Sequence, residues 1–218
     1  VREASARAKS QNALKQITLA MHNFESGAGR LPGPIRNKEG SPLLSVRVAL
    51  LPYLEEDEMY RQFHFDEPWD SPHNLQFLDR MPKVYRSVGN EPPHKSQTFY
   101  RLVTGIGTAF EKEPTTLARI AADGGTAYTV VWIEAGEAVP WTKPEEFEVH
   151  PDRPLPPVGG IFNRNGWVAR QRNLSDGTHI AFADGSVRFL RRNVPEEAWR
   201  QLLQRGGAEK VDVAKLFE

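Results

Sequence analysis

Between Arg2 and Glu25 the sequence is made of helix formers, with Leu14, Ile17, Met21 and Phe24 recurring at spacings of three and four until Gly27 and Gly29 break the run. The pattern predicts one amphipathic helix. Its apolar stripe is confined to the second half, because Arg2 to Ser10 offers only Ala among Arg, Lys, Glu and Ser. The first turns are therefore expected to project from the body or to continue into a preceding segment. After a Gly/Pro/Asn loop from Gly27 to Pro42, Leu43 to Leu51 and Tyr53 to Phe63 read as helix interrupted at Pro52. The proline ring removes a backbone donor and crowds the preceding turn. In Asp70-Ser71-Pro72-His73-Asn74, Ser71 reads as an N-cap and Pro72 as a first-turn residue of a short helix through Arg80, closed by Pro82. Glu91 to Ser96 reads as polar loop.

Beyond this point β-branched and aromatic residues take over. Phe99 to Val103 and Ala127 to Ile133 are predicted strands, bounded by turn signals such as Asp123-Gly124-Gly125 and Ala135-Gly136. His179 to Leu190 has two alternating arms around Asp184-Gly185, which predicts a hairpin with a two-residue type I′ turn. That register pairs Phe182 with Val187 and Ile180 with Phe189 on a core-facing side, with His179, Ala181, Ala183, Ser186, Arg188 and Leu190 on the other. The proline-dense stretch Pro140 to Gly160 reads as a surface excursion without regular structure. A last helix, Pro195 to Arg205, carries Trp199, Leu202 and Leu203 as its stripe and stops at Gly206-Gly207. With no repeat and no linker, the chain reads as one α+β domain over 1–218: a helix (1–26), a helical and loop region (27–98) and a sheet region with a C-terminal helix (99–218).

At 218 residues the chain is long enough to bury a core without staples. Lys plus Arg and Asp plus Glu number 28 each, so no net field recruits nucleic acid or an acidic membrane. The absence of Cys removes thiolate chemistry and Cys-ligated zinc, and leaves the compartment open. No apolar run approaches the roughly 20 residues of a membrane helix.

Candidate chemistry is sparse. Asp66, Glu67, Asp70 and His73 gather three carboxylates and an imidazole within eight positions, which suits a hard metal or acid/base work. Helix capping by Asp70 and Ser71, with Trp69 as a core plug, explains the same residues better. Asp123-Gly124, Asp176-Gly177 and Asp184-Gly185 resemble calcium loops without the EF-hand's alternating acids, so turn chemistry is preferred and no cofactor is expected, with calcium as the alternative. Gly105 and Gly107 lack a third glycine for a phosphate cradle and read as backbone crowding or a turn. Glu134 and Glu137 could form the carboxylate pair of a glycosidase, although two glutamates three apart are usually solvent-facing. The histidines are scattered without zinc spacing, and no Gly-x-Ser-x-Gly elbow exists.

Several strings resemble a pilin-like family of unknown function, also called solute-binding protein family ten. They are Leu14-Lys15-Gln16-Ile17 with Met21-His22-Asn23, Leu50-Leu51-Pro52-Tyr53-Leu54-Glu55, Asp66-Glu67-Pro68-Trp69-Asp70-Ser71-Pro72-His73-Asn74, Val139-Pro140-Trp141-Thr142-Lys143-Pro144-Glu145 and Phe182-Ala183-Asp184-Gly185-Ser186-Val187-Arg188-Phe189-Leu190. The resemblance implies a type IV pilin-like fold and a prepilin-type leader with a hydrophobic helix half, about 20 to 30 residues long, preceding Val1. It implies a periplasmic or cell-surface location, anchored through that segment, with other pilin-like subunits or secretion machinery as partners. Leu174 stands where many members carry His, and Ser10 and Ser87 stand where relatives often carry Cys, so no role for that His and no helix-to-body bridge carries over.

Trp141 lies in the proline-rich excursion beside Thr142 and Lys143, where a stacking face and neighbouring donors suit a sugar ring or a partner; pinning the loop to the body is the competing reading. Trp69 and His73 complete the candidate ligand-binding set. The expectation is a non-enzymatic pilin or pseudopilin-like subunit of a type IV pilus or type II secretion-like system, with polysaccharide capture as its finer form. A carboxylate-dependent hydrolase acting through Asp70, Glu134 or Glu137 is the alternative, and a small-solute-binding protein the second.

Overall fold

The first element of the computed structural model is α1 (Arg2–Ala28), a single 27-residue helix; the structure describes residues 2–86, 92, 94–112, 114–159, 177–191 and 194–211. The predicted stripe is buried at Leu14, Ile17 and Met21, with Phe24 packed beside them. Contrary to expectation, the stripe also runs into the first half of the helix, through Ala6, Ser10 and Ala13. Small side chains let a helix backbone come close to a sheet, so a row of Ala and Ser can be a packing face where bulky apolar residues are lacking. Polar contacts fix the docking: Ser10 Oγ lies 3.0 Å from the Tyr100 hydroxyl, Gln11 donates to the Val187 carbonyl at 3.3 Å and His22 Nε2 to that of Ala183 at 2.8 Å.

The region after α1 is a series of short pieces rather than the two longer helices expected. Strands β1 (Ile35–Arg36) and β2 (Pro42–Leu44) pair antiparallel, and α2 (Val46–Ala49) starts with Ser45 Oγ accepting from the Val48 N–H at 3.4 Å. Pro52 falls in the first positions of a 3-10 turn (Leu51–Tyr53), and α3 (Asp57–Tyr60) follows. Ser71 caps as predicted: its Oγ accepts the Asn74 N–H at 3.1 Å, opening a 3-10 helix from Asn74 to Arg80.

Five strands form the main sheet: β3 (Gln97–Gly105), β4 (Val130–Pro140), β5 (Phe147–Val149), β6 (Gly177–Phe182) and β7 (Val187–Arg191), in the order β5-β3-β4-β6-β7. Between β3 and β4 lies α4 (Leu117–Gly124), capped by Thr116. The proline-dense stretch expected to lack regular structure supplies β5, which pairs parallel to β3. The sheet is therefore mixed rather than purely antiparallel. Gly105 at φ 101° and Gly107 at φ 81° do mark crowding, since a Cβ on Gly105 would meet the Val149 carbonyl oxygen of β5 at 2.2 Å.

The hairpin is present with its register moved by one residue. Ala181 faces Val187, Ile180 faces Arg188 and His179 faces Phe189, and Phe182 N–H donates to Ser186 O at 2.9 Å. The loop therefore has three residues, Ala183 to Gly185, with Gly185 alone at positive φ (88°) and Asp184 Oδ1 accepting the Ser186 N–H at 2.8 Å. A type I turn closed by a left-handed glycine satisfies Asp-Gly without placing Asp at positive φ. A one-residue shift reverses the facing of one arm. Ala181, Val187 and Phe189 join the core under α1, and Ile180, Phe182 and Leu190 join a second core on the opposite face. That second face is covered by α5 (Glu196–Leu202) and α6 (Gly207–Lys210), through Trp199, Leu202, Leu203 and Ala208. Among the described residues no helix is long and apolar enough to cross a membrane.

Candidate functional site

The proposed recognition aromatic is a core residue. Trp141 is fully buried, its Nε1–H shared between the carbonyls of Phe77 (3.3 Å) and Leu78 (3.1 Å), with the Phe63 ring edge-on at 6.0 Å between ring centres. Its face is closed to any ligand, and it acts as the anchor of the excursion, the competing reading of the sequence. Thr142 is buried as well, so its hydroxyl offers no surface donor.

Arg47 holds this anchor in place. A lone cation in the run Leu43 to Leu54, it is fully buried on α2. Its Nε donates to Trp141 O at 2.9 Å, Nη2 to Lys143 O at 2.8 Å, and Nη1 to Tyr100 O at 3.2 Å and to Glu146 Oε2 at 3.0 Å. The same carboxylate oxygen accepts the Leu102 N–H at 3.0 Å, and the Tyr85 hydroxyl donates to Arg47 O at 3.0 Å. A buried charge is tolerable only when paired and hydrogen-bonded, and the guanidinium fork meets that condition here. Sequence reasoning missed Arg47 and Glu146; the interruption of an apolar run by one arginine was the available signal.

Lys143, Trp69 and His73 remain at or near the surface. Lys143 Nζ pairs with Glu145 Oε2 at 2.6 Å and stands 5.8 Å from the centre of the half-buried Trp69 ring. His73 stacks on His64 with ring centres 3.4 Å apart and planes within 2°, and its Nε2 donates to Gln62 O at 2.8 Å. His64 Nδ1 lies 2.9 Å from Glu67 Oε1. Hydrogen bonds from Ser71 and then His64 hold the Glu67 carboxyl below its ordinary value. At the centre of this loop the buried Asn74 side chain donates to the carbonyls of His64, Glu67 and Pro68 and accepts the His64 N–H. The motif from Asp66 to Asn74 is thus a knot in which Ser71, His73 and Asn74 satisfy backbone groups. Asp66 and Asp70 are exposed beside it.

The paired glutamates do not form a pair. Three positions apart on β4, where the pairing with β3 shifts register, Glu134 is fully buried and Glu137 exposed. Glu134 instead meets His179: its Oε2 accepts the His179 N–H at 2.9 Å and lies 3.1 Å from Nδ1, while Oε1 is buried without a partner. Tyr100 sits opposite Glu134 in the β3–β4 register, and burial, reinforced by that carboxylate, pushes its hydroxyl well above the ordinary value. Ser10, Tyr100, Glu134 and His179 thus form a polar seam under α1. Hairpin alternation predicts His179 on the side away from the core, and only the sheet order brings Glu134 beside it.

Among the described residues no group of three or more His, Asp or Glu is placed to hold a metal ion. Asp123 bonds Arg205 at 3.1 Å and Asp184 closes its own turn, whereas Asp176, Leu174 and Ser87 lie outside the described residues.

Helix, mixed sheet and knotted loops define a class: an α+β domain with a long N-terminal helix on one sheet face and short C-terminal helices on the other. The chain belongs to the family described as protein of unknown function (DUF1559), SBP_bac_10, whose profile matches residues 1–139. No curated protein and no solved structure matches it.

Proposed function

We propose that this chain is the globular body of a non-enzymatic, pilin-like subunit of a type IV pilus or type II secretion-like assembly, held at the cell surface or in the periplasm. The observation that carries the reading is α1. One face of its 27 residues is sealed onto β6 and β7 of the sheet, and the other leaves Leu19 58% exposed. A helix that is half core and half unpartnered surface suits a subunit that packs on its neighbours through that helix. Weighing against the hydrolase alternative, Glu134 is buried beside His179 while Glu137 is exposed. In its finer form, the subunit captures an extracellular polysaccharide; with Trp141 closed, that role passes to surface groups.

The chain has no cysteine, so Leu19→Cys introduces a single thiol. In cells making the full gene product, oxidation is expected to give disulfide-linked multimers in the envelope fraction. A product that stays monomeric and free of the envelope overturns the reading.

A further inference from the structure

A groove of about 590 Å3 is walled by α1 on one side and by segments 53–56 and 82–84 on the other. Its size lies within the roughly 300–1,000 Å3 of ligand sites. Leu19, 58% exposed, and Tyr53, 36% exposed, supply accessible apolar surface, and the Phe24 ring braces that of Tyr53 at 5.6 Å between centres. From α1 come Gln16 and Asn23, about 10 Å apart along the helix at 1.5 Å per residue, and from the other wall Glu55, Glu56 and Lys83. Among the described residues none of these five side chains makes a hydrogen bond or an ion pair. The neighbouring Asp57, by contrast, is paired with Arg61. Glu55 holds φ 62°, and every other residue at positive φ is a glycine among the described residues. A carboxylate kept where glycine would be at ease points to a use for that side chain.

Carboxylates accept, an ammonium donates and amides do both, so the groove offers both kinds of partner around its apolar surface. A ligand of one charge would meet a like charge at Glu55 and Glu56 or at Lys83. Hydroxyl groups donate and accept without charge, and the C–H face of a pyranose ring packs on an aromatic face such as that of Tyr53. We propose that this groove binds a neutral hexopyranose chain, with Glu55 and Glu56 accepting from hydroxyls, Gln16 and Asn23 reading further hydroxyls and Tyr53 bearing a ring. The separation of the two amides, about 10 Å, exceeds one ring and favours an oligomer over a free sugar. The inference rests on the capture role proposed above, and it concerns the unassembled chain, because a neighbour packed on Leu19 would share the groove.

Calorimetric titration of the protein with gluco-, manno- and galactohexaoses, the free hexoses, oligogalacturonate and a glucosamine oligomer tests this. At least one neutral hexaose is expected to bind saturably and independently of salt, with affinity reduced roughly tenfold by Glu55→Gly and again by Asn23→Ala. Glycine suits the left-handed backbone at position 55 and Asn23 is exposed, and thermal unfolding verifies that both variants fold. Hexaose binding indifferent to both substitutions overturns the groove assignment and leaves capture to another surface. Tighter binding of either charged oligomer overturns the neutral ligand, and equal affinity for a free hexose overturns the oligomer. Silence to every glycan overturns the groove and removes capture as well, while the cross-linking test of assembly stands separately.

Discussion

Glu55 has φ 62°, a left-handed conformation otherwise held only by glycines among the described residues. It sits where the 3-10 turn at Leu51–Tyr53 gives way to α3, and the conformation lets the Glu56 N–H reach Leu51 O at 3.1 Å. Its side chain is exposed, so a glycine there loses no packing. Glu55→Gly is expected to raise stability by about 0.5–1 kcal/mol, read as a higher denaturant midpoint, because the left-handed penalty outweighs the added freedom of the unfolded chain. Glu67 tests the loop knot. Its carboxyl is held low by Ser71 and His64, so its stabilising contribution is present above the ordinary carboxylate value and is lost as pH falls through the lower folded value. Glu67→Gln is expected to lower the thermal midpoint at neutral pH, with the difference from the parent closing in acid. A midpoint difference independent of pH overturns that assignment.

Individual elements here owe their stability to contacts made far along the chain. The four residues of α2 cannot persist as an isolated helix, since nucleation costs more than one turn returns. What fixes α2 is Ser45 and Arg47 reaching into the segment Trp141 to Glu146. Arg47→Ala leaves Glu146 charged and buried, and is expected to cost about 3–5 kcal/mol in chemical denaturation. Adding Glu146→Leu is expected to restore part of that loss, and only part, because the carbonyls of Trp141, Lys143 and Tyr100 still lose the guanidinium donor. The hairpin shows the same dependence. Asp184-Gly185 is compatible with a two-residue or a three-residue loop, and the choice falls to whichever register suits both sheet faces. Local pattern places the turn correctly but reads its length and the register wrongly, since a strand covered on both sides has no polar face to give the register away.

At the scale of the molecule, a central sheet is closed by α1 on one face and by α5 and α6 on the other. This arrangement accounts for Val187 and Phe189 lying opposite Phe182, for the burial of His179 with Glu134, and for the packing of the small residues in the first half of α1. The sequence alone determined the α+β class, the long first helix with its Leu14-Ile17-Met21-Phe24 stripe, the Ser71 cap, the Asp184-Gly185 turn and the C-terminal helix. Each follows from side chains within a few residues of one another. Only the tertiary structure decided that Trp141 is an anchor, that Glu134 meets His179 instead of Glu137, that Phe147–Val149 becomes an edge strand, and that Asn23 and Glu55 line one groove. Exposure and pairing across tens of residues depend on which segments stack, and chain-local spacing carries no record of that.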